Sequence, residues 1–336
     1  MPLLSFIIPC YNKKPELQGL LYSIYYSGLD REDYEVIVSD DSDNDDIVDD
    51  IVDLVDYYKG WMDVEYYTNR YPRVGPAANR QSGLLCAKGK WVTFVDHDDE
   101  IVPNSFIKLK SILKEEDCAY INTSVYVVDN IKGTEYIEVS DTYKKTLTHG
   151  KIYSMQFLTD NNISYDKTAP AHEDIYFNYW VYSAMVATGG RCLDLTEDNI
   201  CTFYRFKIYN ESLSRSTEFF DKYITEDPTW FLSKFYKPLE YIEKNPDIAE
   251  DIFDYIGNEL CYAVIIYLMT IKWDKMTQES RLLYKDIFDK CRLVLHHKID
   301  KESIAKISTK VLQENGLLTK DIDDIIDYYS IIGYLL

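Results

Sequence analysis

The chain has 336 residues, 46% of them hydrophobic and 28% charged, a balance that supports a sizeable buried core and excludes a disordered or fibrous class. Its net charge is -21, and the segments before and after residue 216 are both acidic, so no basic half is available for nucleic acid or an anionic membrane. Such a surface attracts divalent cations instead.

Seven cysteines at irregular spacing, none in a CxxC pair, argue against a thiolate zinc site and for reduced thiols in a cytosolic protein. The first residues, Met1-Pro2-Leu3-Leu4-Ser5, carry no basic segment followed by an apolar stretch, so no signal peptide is expected. The longest apolar stretch, 261–271, is too short to span a bilayer. The expected location is the cytoplasm, free or peripheral at the membrane.

In chain order, residues 3–8 form a short apolar run ending at Pro9, the signal of a buried strand. Residues 14–26 place Leu17, Leu20, Leu21 and Ile24 at helical spacing. A second strand is predicted over 34–38, closed by Ser39-Asp40-Asp41, and a helix follows through Ile47, Ile51, Leu54 and Val55. Residues 64–67 give a weaker third strand. Pro76 suits the start of a helix running to about residue 87, with Gly89 beyond it. Residues 91–95 are the fourth strand, and Asp96-His97-Asp98-Asp99 follows directly. Further on, 119–127 and 136–139 flank a turn at Lys132-Gly133 and predict an antiparallel hairpin. Residues 173–185 predict an aromatic-rich helix. From about 217 the strand signals fade. Ile248, Ile252, Ile256 and Leu260 keep helical spacing, as do Leu283, Ile287, Cys291 and Val294. The predicted organisation is therefore a domain over 1–216 and a helical extension over 217–336.

Strand–helix alternation gives a parallel sheet with helices on both faces. Right-handed crossovers bring the C-terminal ends of the strands to one edge, where ligands bind in open α/β sheets. Pro9-Cys10-Tyr11-Asn12, Asp40-Asp41 and Asp96-His97-Asp98 all fall on that edge. Asp96 and Asp98, one residue apart after a buried strand, can approach the same hard cation, Mn²⁺ or Mg²⁺; a solvated acidic turn is the bland alternative. A carboxylate at Asp40 or Asp41 can accept a hydrogen bond from a nucleobase N–H, whereas the acids from Asp43 to Asp46 suit capping of the next helix. Arg80 can pair with a phosphate or a carboxylate, or sit at a closely packed helix surface. Glu173 and Asp174 open a helix, where an acid can act as a general base or simply favour the helix dipole.

Taken in order, these segments resemble family-2 glycosyltransferases, and the resemblance covers roughly residues 3–215. It implies a GT-A fold, a Rossmann-like mixed sheet flanked by helices, here with a C-terminal helical extension. It further implies that Pro9, Tyr11 and Asn12 belong to the nucleotide-binding turn, that Asp40 and Asp41 hold the base, and that Arg80 lies along the nucleotide. Asp96 and Asp98 are then the metal motif, and Asp174 is the catalytic base. Tyr204-Arg205 and Ser212-Leu213-Ser214-Arg215 are similar to the loop that closes over the donor diphosphate, implicating Arg205 and Arg215. The sequence departs from the family pattern at Ser42-Asp43, where Gly is usual after the acid pair. It departs again at Asn79 and Gln81 beside Arg80, and at His97 inside the metal motif.

The implied reaction is an inverting transfer of a sugar from a nucleotide sugar, most simply a UDP-sugar, to an acceptor hydroxyl on a glycan or surface polymer. The metal offsets charge on the leaving diphosphate, and Asp174 takes the acceptor proton. A nucleotidyltransferase and a catalytically silent glycan-binding scaffold are the alternative readings. The first lacks its lysine- and glycine-rich phosphate loop here, and the second sits poorly with intact acids at 98 and 174. The apolar rows of the extension need a partner face, either the catalytic domain or a second subunit, which would give a homo-oligomer through the C-terminal helices.

Overall fold

The computed structural model describes residues 1–69, 75–129, 133–138, 141–167, 169, 172–196, 200–206 and 233–256, together with Thr277, Gln278, Leu282 and Asp286. The chain divides into two units, Met1–Ser212 and Leu213–Leu336.

The first unit opens with β1 (Leu4–Cys10), every residue of which is buried. A strand covered on both faces reads as a near-continuous apolar run, which is why no clean alternation shows in Leu-Ser-Phe-Ile-Ile-Pro-Cys. α1 (Lys14–Tyr25) follows, with Pro15 in its first turn and Leu17, Leu20, Leu21 and Ile24 buried. A short 3-10 turn, Arg31–Asp33, leads into β2 (Tyr34–Asp40). α2 (Asp45–Lys59) is capped by the Asn44 side chain, which accepts from the Asp46 and Ile47 amides. β3 (Val64–Thr68) pairs with β2, and α3 (Pro76–Cys86) returns the chain to β4 (Trp91–Phe94).

These four strands run parallel in the spatial order β4-β1-β2-β3. The alternating side chains of β1 divide the core. Leu4, Phe6 and Ile8 join the cluster built with Leu17, Leu20, Leu54 and Val55 of α1 and α2. Ile7 points to the opposite face, against α3, where a Cβ on Gly83 would lie 2.4 Å from the Ile7 Cγ2 methyl.

Beyond β4 the topology changes. The next elements are β5 (Glu100–Ile101), α4 (Phe106–Glu115), β6 (Tyr120–Asn122), β7 (Ser124–Asp129) and β8 (Thr134–Glu138). They are followed by α5 (Asp141–Thr146), β9 (Lys151–Ser154), α6 (Met155–Asp160), α7 (Glu173–Ala187), β10 (Cys192–Asp194) and β11 (Cys201–Phe206). β9 inserts antiparallel between β4 and β6, completing a mixed seven-stranded sheet of order β10-β6-β9-β4-β1-β2-β3. A second sheet of four strands has the order β5-β11-β7-β8. The hairpin expected around Lys132-Gly133 is the antiparallel pair β7 and β8. The single strand expected over 119–127 is instead two, in different sheets. At Thr123 the backbone amide turns to the Gly150 carbonyl at 2.7 Å, so the ladder changes partner there.

α7 buries Ile175, Phe177, Tyr179, Trp180, Val181, Ala184 and Met185 around most of its circumference, the pattern of an interior helix. Phe177 stacks on Tyr165 at 4.2 Å between centroids and meets Phe94 and Tyr153 edge-on, so β4, β9 and α7 share one aromatic cluster.

In the second unit, α8 (Tyr236–Lys244) buries Leu239 and Ile242 and is followed by a 3-10 turn at Pro246–Ile248. Ile252 and Ile256 of the first predicted apolar row are buried. Leu260, the row from Leu283 to Val294 and the closing residues lie outside the described residues. No described helix is long and apolar enough to cross a membrane.

The Gly83 contact makes a test of how closely α3 must approach the sheet. Gly83→Ala is expected to lower stability by about 1–3 kcal/mol through overpacking against Ile7, read as a fall in thermal or denaturant midpoint. An unchanged midpoint would mean the α3–β1 spacing adapts.

Candidate active site

The register of β1 with β2 carries Cys10 opposite Asp40, so the two strands end together. Just beyond, the Asp41 amide donates to the Cys10 carbonyl at 3.2 Å. Asn12 adopts a left-handed conformation (φ 51), a turn that asparagine tolerates better than most residues. Its amide donates to Ser42 Oγ at 2.8 Å, and its side chain donates to Asp43 at 2.7 Å. The Tyr11 hydroxyl donates to the same Asp43 carboxylate at 3.0 Å. Of the run Asp43-Asn44-Asp45-Asp46 expected at the start of α2, Asn44 takes the cap and Asp43 ties the β1 turn.

Asp40 and Asp41 are both buried, yet they serve different partners. Asp40 accepts from the Ser42 amide and hydroxyl and from the Tyr66 hydroxyl at 2.8 Å. Burial still pushes its pKa up. Asp41 accepts from the Gly75 amide at 2.8 Å and from Asn79 Nδ2 at 2.6 Å, so it fixes the start of α3. Gly75, at φ 87, supplies a backbone turn that L side chains rarely adopt.

The Asp96-His97-Asp98-Asp99 segment emerges from β4 beside this edge. The Val95 amide donates to the Ile7 carbonyl, and His97 Nδ1 lies 3.1 Å from the Pro9 carbonyl. The Arg80 side chain, only 6% exposed, reaches up from α3 between two acids. One Nη donates to Asp96 at 2.5 Å and the other pairs with Glu173, the first residue of α7. Its guanidinium also lies 5.9 Å from the ring of Tyr165. One buried cation thus joins the acid at the end of β4 to the helix that carries Asp174. Of the two kinds of partner open to Arg80, a phosphate or a carboxylate, it engages carboxylates here.

Sequence reasoning missed a second cation in this cluster. His149 Nε2 lies 2.8 Å from Asp99 and 3.4 Å from Asp96. Burial pulls His149 down, but Asp99 and Asp96 outweigh it and raise its pKa to about 9. Burial likewise opposes ionisation of Asp96, but Arg80 and His149 hold it well below the usual carboxylate range. Asp98, half-buried, is only weakly compensated, by His97. Burial and the neighbouring charges of Asp96 and Asp99 push it up to about 6. The only hint of His149 in the sequence is Gly150 behind it. At φ 72, with Thr123 O 2.7 Å from where a Cβ would sit, Gly150 marks a tight approach. Two residues on, buried Lys151 donates to the Leu147 carbonyl. Burial lowers its pKa to about 7, against the pull of Asp174.

Asp174 is half-buried at the start of α7, with Oδ1 accepting from the Ile175 amide at 2.8 Å, and burial raises its pKa. α7 is entered through His172 in a left-handed conformation, φ 57, and both of its first acids feel the Arg80 charge. Arg205 lies on β11 in register with Val127, and the amide of the next residue, Phe206, donates to Asp99 at 3.1 Å. Arg215 lies outside the described residues.

Among the described residues, Asp96, Asp99 and His149 offer ligand atoms that all lie within 4.8 Å of one another. Two hard carboxylates and an imidazole suit Mn²⁺ or Mg²⁺, and Asp98 is close enough to feel the Asp96 and Asp99 charges. The residues present therefore fit such an ion.

Residues 5–170 match the family described as Glycosyl transferase family 2. A GalNAc(5)-diNAcBac-PP-undecaprenol beta-1,3-glucosyltransferase of Campylobacter jejuni is 36% identical over 109 residues, 32% of this chain and 34% of that protein. A Poly(ribitol-phosphate) beta-glucosyltransferase of Bacillus spizizenii is 27% identical over 194 residues, 53% of this chain and 29% of that protein. The chain thus spans about a third of the length of these curated relatives. Among solved structures, Staphylococcus aureus TarS 1–349 in complex with UDP-GlcNAc superposes with a TM-score of 0.59 at 17% identity, covering 95% of this chain and 93% of that one.

Removing the central cation should expose how much of this arrangement it holds. Arg80→Ala is expected to cost about 3–5 kcal/mol, because two acids lose their buried counter-charge, with Glu173→Gln recovering part of the loss in the double variant. Denaturant titration of the single and double variants measures this. A loss below about 1 kcal/mol would place the clamp among solvent-screened surface pairs. Residues 5–170, on an α/β fold of the GT-A type, belong to glycosyl transferase family 2.

Proposed function

We propose that this chain transfers a sugar from a nucleoside diphosphate sugar, a UDP-sugar in the first instance, to a hydroxyl of a glycan or surface polymer, with inversion at the anomeric carbon. The observation that carries the reading is the union, through Arg80, of the acidic end of β4 with the helix that presents Asp174. The names of the relatives, two glucosyltransferases, and the UDP-GlcNAc bound to TarS support a UDP-sugar donor.

In this reading Asp40 or Asp41 accepts a hydrogen bond from the base, and Pro9, Tyr11 and Asn12 line the nucleotide turn. Asp96 and Asp98, with Asp99 and His149 beside them, would hold Mn²⁺ or Mg²⁺. When bound, the ion neutralises charge on the leaving diphosphate. Arg205 would add positive charge toward the same phosphates; Arg215, the alternative, lies outside the described residues. Asp174 orients the acceptor hydroxyl and takes its proton as the oxygen attacks the anomeric carbon. A carboxylate whose pKa is raised by burial is the stronger base for that step. The extension after residue 216 serves assembly or acceptor presentation.

The direct experiment is a donor-hydrolysis screen with a panel of nucleotide sugars, with Mn²⁺, with Mg²⁺ and with EDTA. Release of the nucleoside diphosphate that stops in EDTA is the expected result. Turnover in EDTA equal to that in Mn²⁺ would remove the metal from the proposal, and no hydrolysis of any donor would overturn the proposal itself. Asp98→Ala should abolish turnover while leaving the thermal midpoint near wild type, since a half-buried strand-end acid contributes little to stability.

Asp174→Asn provides the test of the base. The change preserves shape and should keep UDP affinity while reducing transfer by about 10²–10⁴-fold. If UDP affinity collapses with transfer, Asp174 belongs to the nucleotide site and the base lies elsewhere.

A further inference from the structure

Most exposed large apolar side chains of the described residues are scattered, but one group is continuous. Tyr22, Tyr25 and Tyr26, at the C-terminal end of α1, and Tyr57 and Trp61, at the C-terminal end of α2, are between 40% and 65% exposed. Tyr22 meets Tyr26 with ring centroids 4.8 Å apart, and Tyr26 meets Tyr25 at 5.1 Å. Tyr25 meets Trp61 at 6.1 Å, and Trp61 meets Tyr57 at 6.4 Å. The five rings make an unbroken ridge from one helix to the next, each held by its neighbours. A contiguous exposed apolar surface of this kind marks an interaction site.

The chemistry of the ridge narrows the partner. Every ring carries a hydroxyl or an indole N–H at its edge, and no aliphatic side chain or phenylalanine interrupts the series. Such rings offer a negative face to weakly positive C–H groups and a polar edge to hydroxyls. A pyranose presents both, C–H groups on its face and hydroxyls around its rim. The surrounding charge disfavours anionic occupants. Asp49, Asp50, Asp53 and Asp56 are exposed along α2; Lys14 and Lys59 pair with Asp50 and Asp56, while Asp53 sits one turn before Tyr57 and leaves the balance acidic. Anionic lipid, nucleic acid or a phosphate-linked polymer would meet that acidic face. A symmetric second copy would bring the same acids against their own counterparts. An uncharged glycan meets no such penalty.

The ridge is remote from the candidate active site. In a parallel βαβ unit the helix runs back against the strands, so the C-terminal ends of α1 and α2 lie at the opposite edge of the sheet from Asp40, Asp41 and Asp96. α1 has 12 residues, about 18 Å of helix, between the two edges.

We propose that the ridge formed by Tyr22, Tyr25, Tyr26, Tyr57 and Trp61 is a second carbohydrate-binding surface that grips a neutral, hydroxyl-rich glycan chain away from the site of transfer. It rests on the reading that this chain works on glycans. By holding a distant part of an acceptor, the ridge raises the effective concentration of the acceptor end at the active site.

The test uses the full chain in native gels cast with and without three neutral polysaccharides: hydroxyethylcellulose, laminarin and dextran. Retardation of the wild type by at least one of them is expected, with the apparent Kd weakened by about tenfold or more in Tyr57→Ser/Trp61→Ser. Donor hydrolysis and the thermal midpoint of the double variant should match wild type. A second measurement needs no destabilising change: the 5-fluorotryptophan signal of Trp61, assigned with Trp61→Phe, should shift when the retarding polysaccharide is added. No retardation by any of the three, or retardation equal in the double variant with no shift at Trp61, overturns the proposal. So does a double variant that loses a dimer on sizing, or loses phosphatidylcholine vesicles in sedimentation, without losing a polysaccharide. The two readings fail separately. Polysaccharide binding without hydrolysis of any donor would sink the transferase and leave the ridge, and hydrolysis without polysaccharide binding would do the reverse.

Discussion

A buried guanidinium is the constraint on which the candidate site depends. Arg80 is held under the end of β4 with Asp96 on one side and Glu173 on the other. Removing a charge from water is expensive, and a buried ion is tolerated only where opposite charges and hydrogen bonds surround it. Arg80 therefore fixes the distance between two elements far apart in the chain, the acidic turn after β4 and the first turn of α7. Glu173 holds the clamp, and Asp174, the proposed base, is the next residue along the helix. The Tyr165 ring against the guanidinium and the stack of Tyr165 on Phe177 extend the same constraint into the aromatic cluster beneath α7. A helix locked in this way holds its acid in one place, as the proposed role of Asp174 in proton transfer would require.

Charge is arranged around that clamp in an uneven way. Asp96, Asp99, Glu173 and Asp174 converge on Arg80 and His149, and Asp98 stands beside Asp96 and Asp99. The cations are shared: Asp96 is stabilised by both, whereas Asp98 is pushed up to about 6. A pocket with carboxylates in excess attracts a divalent ion before it attracts a diphosphate. A bound ion would change the sign of the local field and make the same pocket a host for phosphate oxygens. His149 is placed where it can serve the empty and the loaded pocket alike, as an imidazolium between Asp96 and Asp99 or as a neutral ligand beside them.

The edge where β1 and β2 end is built differently, from tight turns held by short hydrogen bonds to acids. Asp40 holds Ser42 and Tyr66, Asp41 holds Gly75 and Asn79, and Asp43 holds Tyr11 and Asn12. Three acids in succession thus tie down three separate segments: β3, the start of α3 and the turn after β1. The pocket edge is rigid because each acid has a partner that the sequence does not place nearby. The proposed carbohydrate surface would add reach to this arrangement without altering it, since its rings sit at the C-terminal ends of α1 and α2.

The sequence by itself determined the elements and their order over the first hundred residues. Apolar runs such as Phe6-Ile7-Ile8 and the helical spacing of Leu17, Leu20, Leu21 and Ile24 are local signals, set by backbone geometry and by which face must leave water. It also determined which edge of the sheet would carry Asp40, Asp41 and Asp96, because parallel strands joined by right-handed crossovers end on one side. It left undecided what each acid touches. Asp43 was legible only as a helix-start acid, Arg80 only as a cation of uncertain partner, and His149 not as a site residue at all. These roles arise from contacts across long separations: 93 residues from Arg80 to Glu173 and 107 from Asp99 to Phe206. Only tertiary structure decides such contacts, because the preference of a charged side chain for a partner has no period along the chain. It depends on which groups are buried together once the sheet has closed.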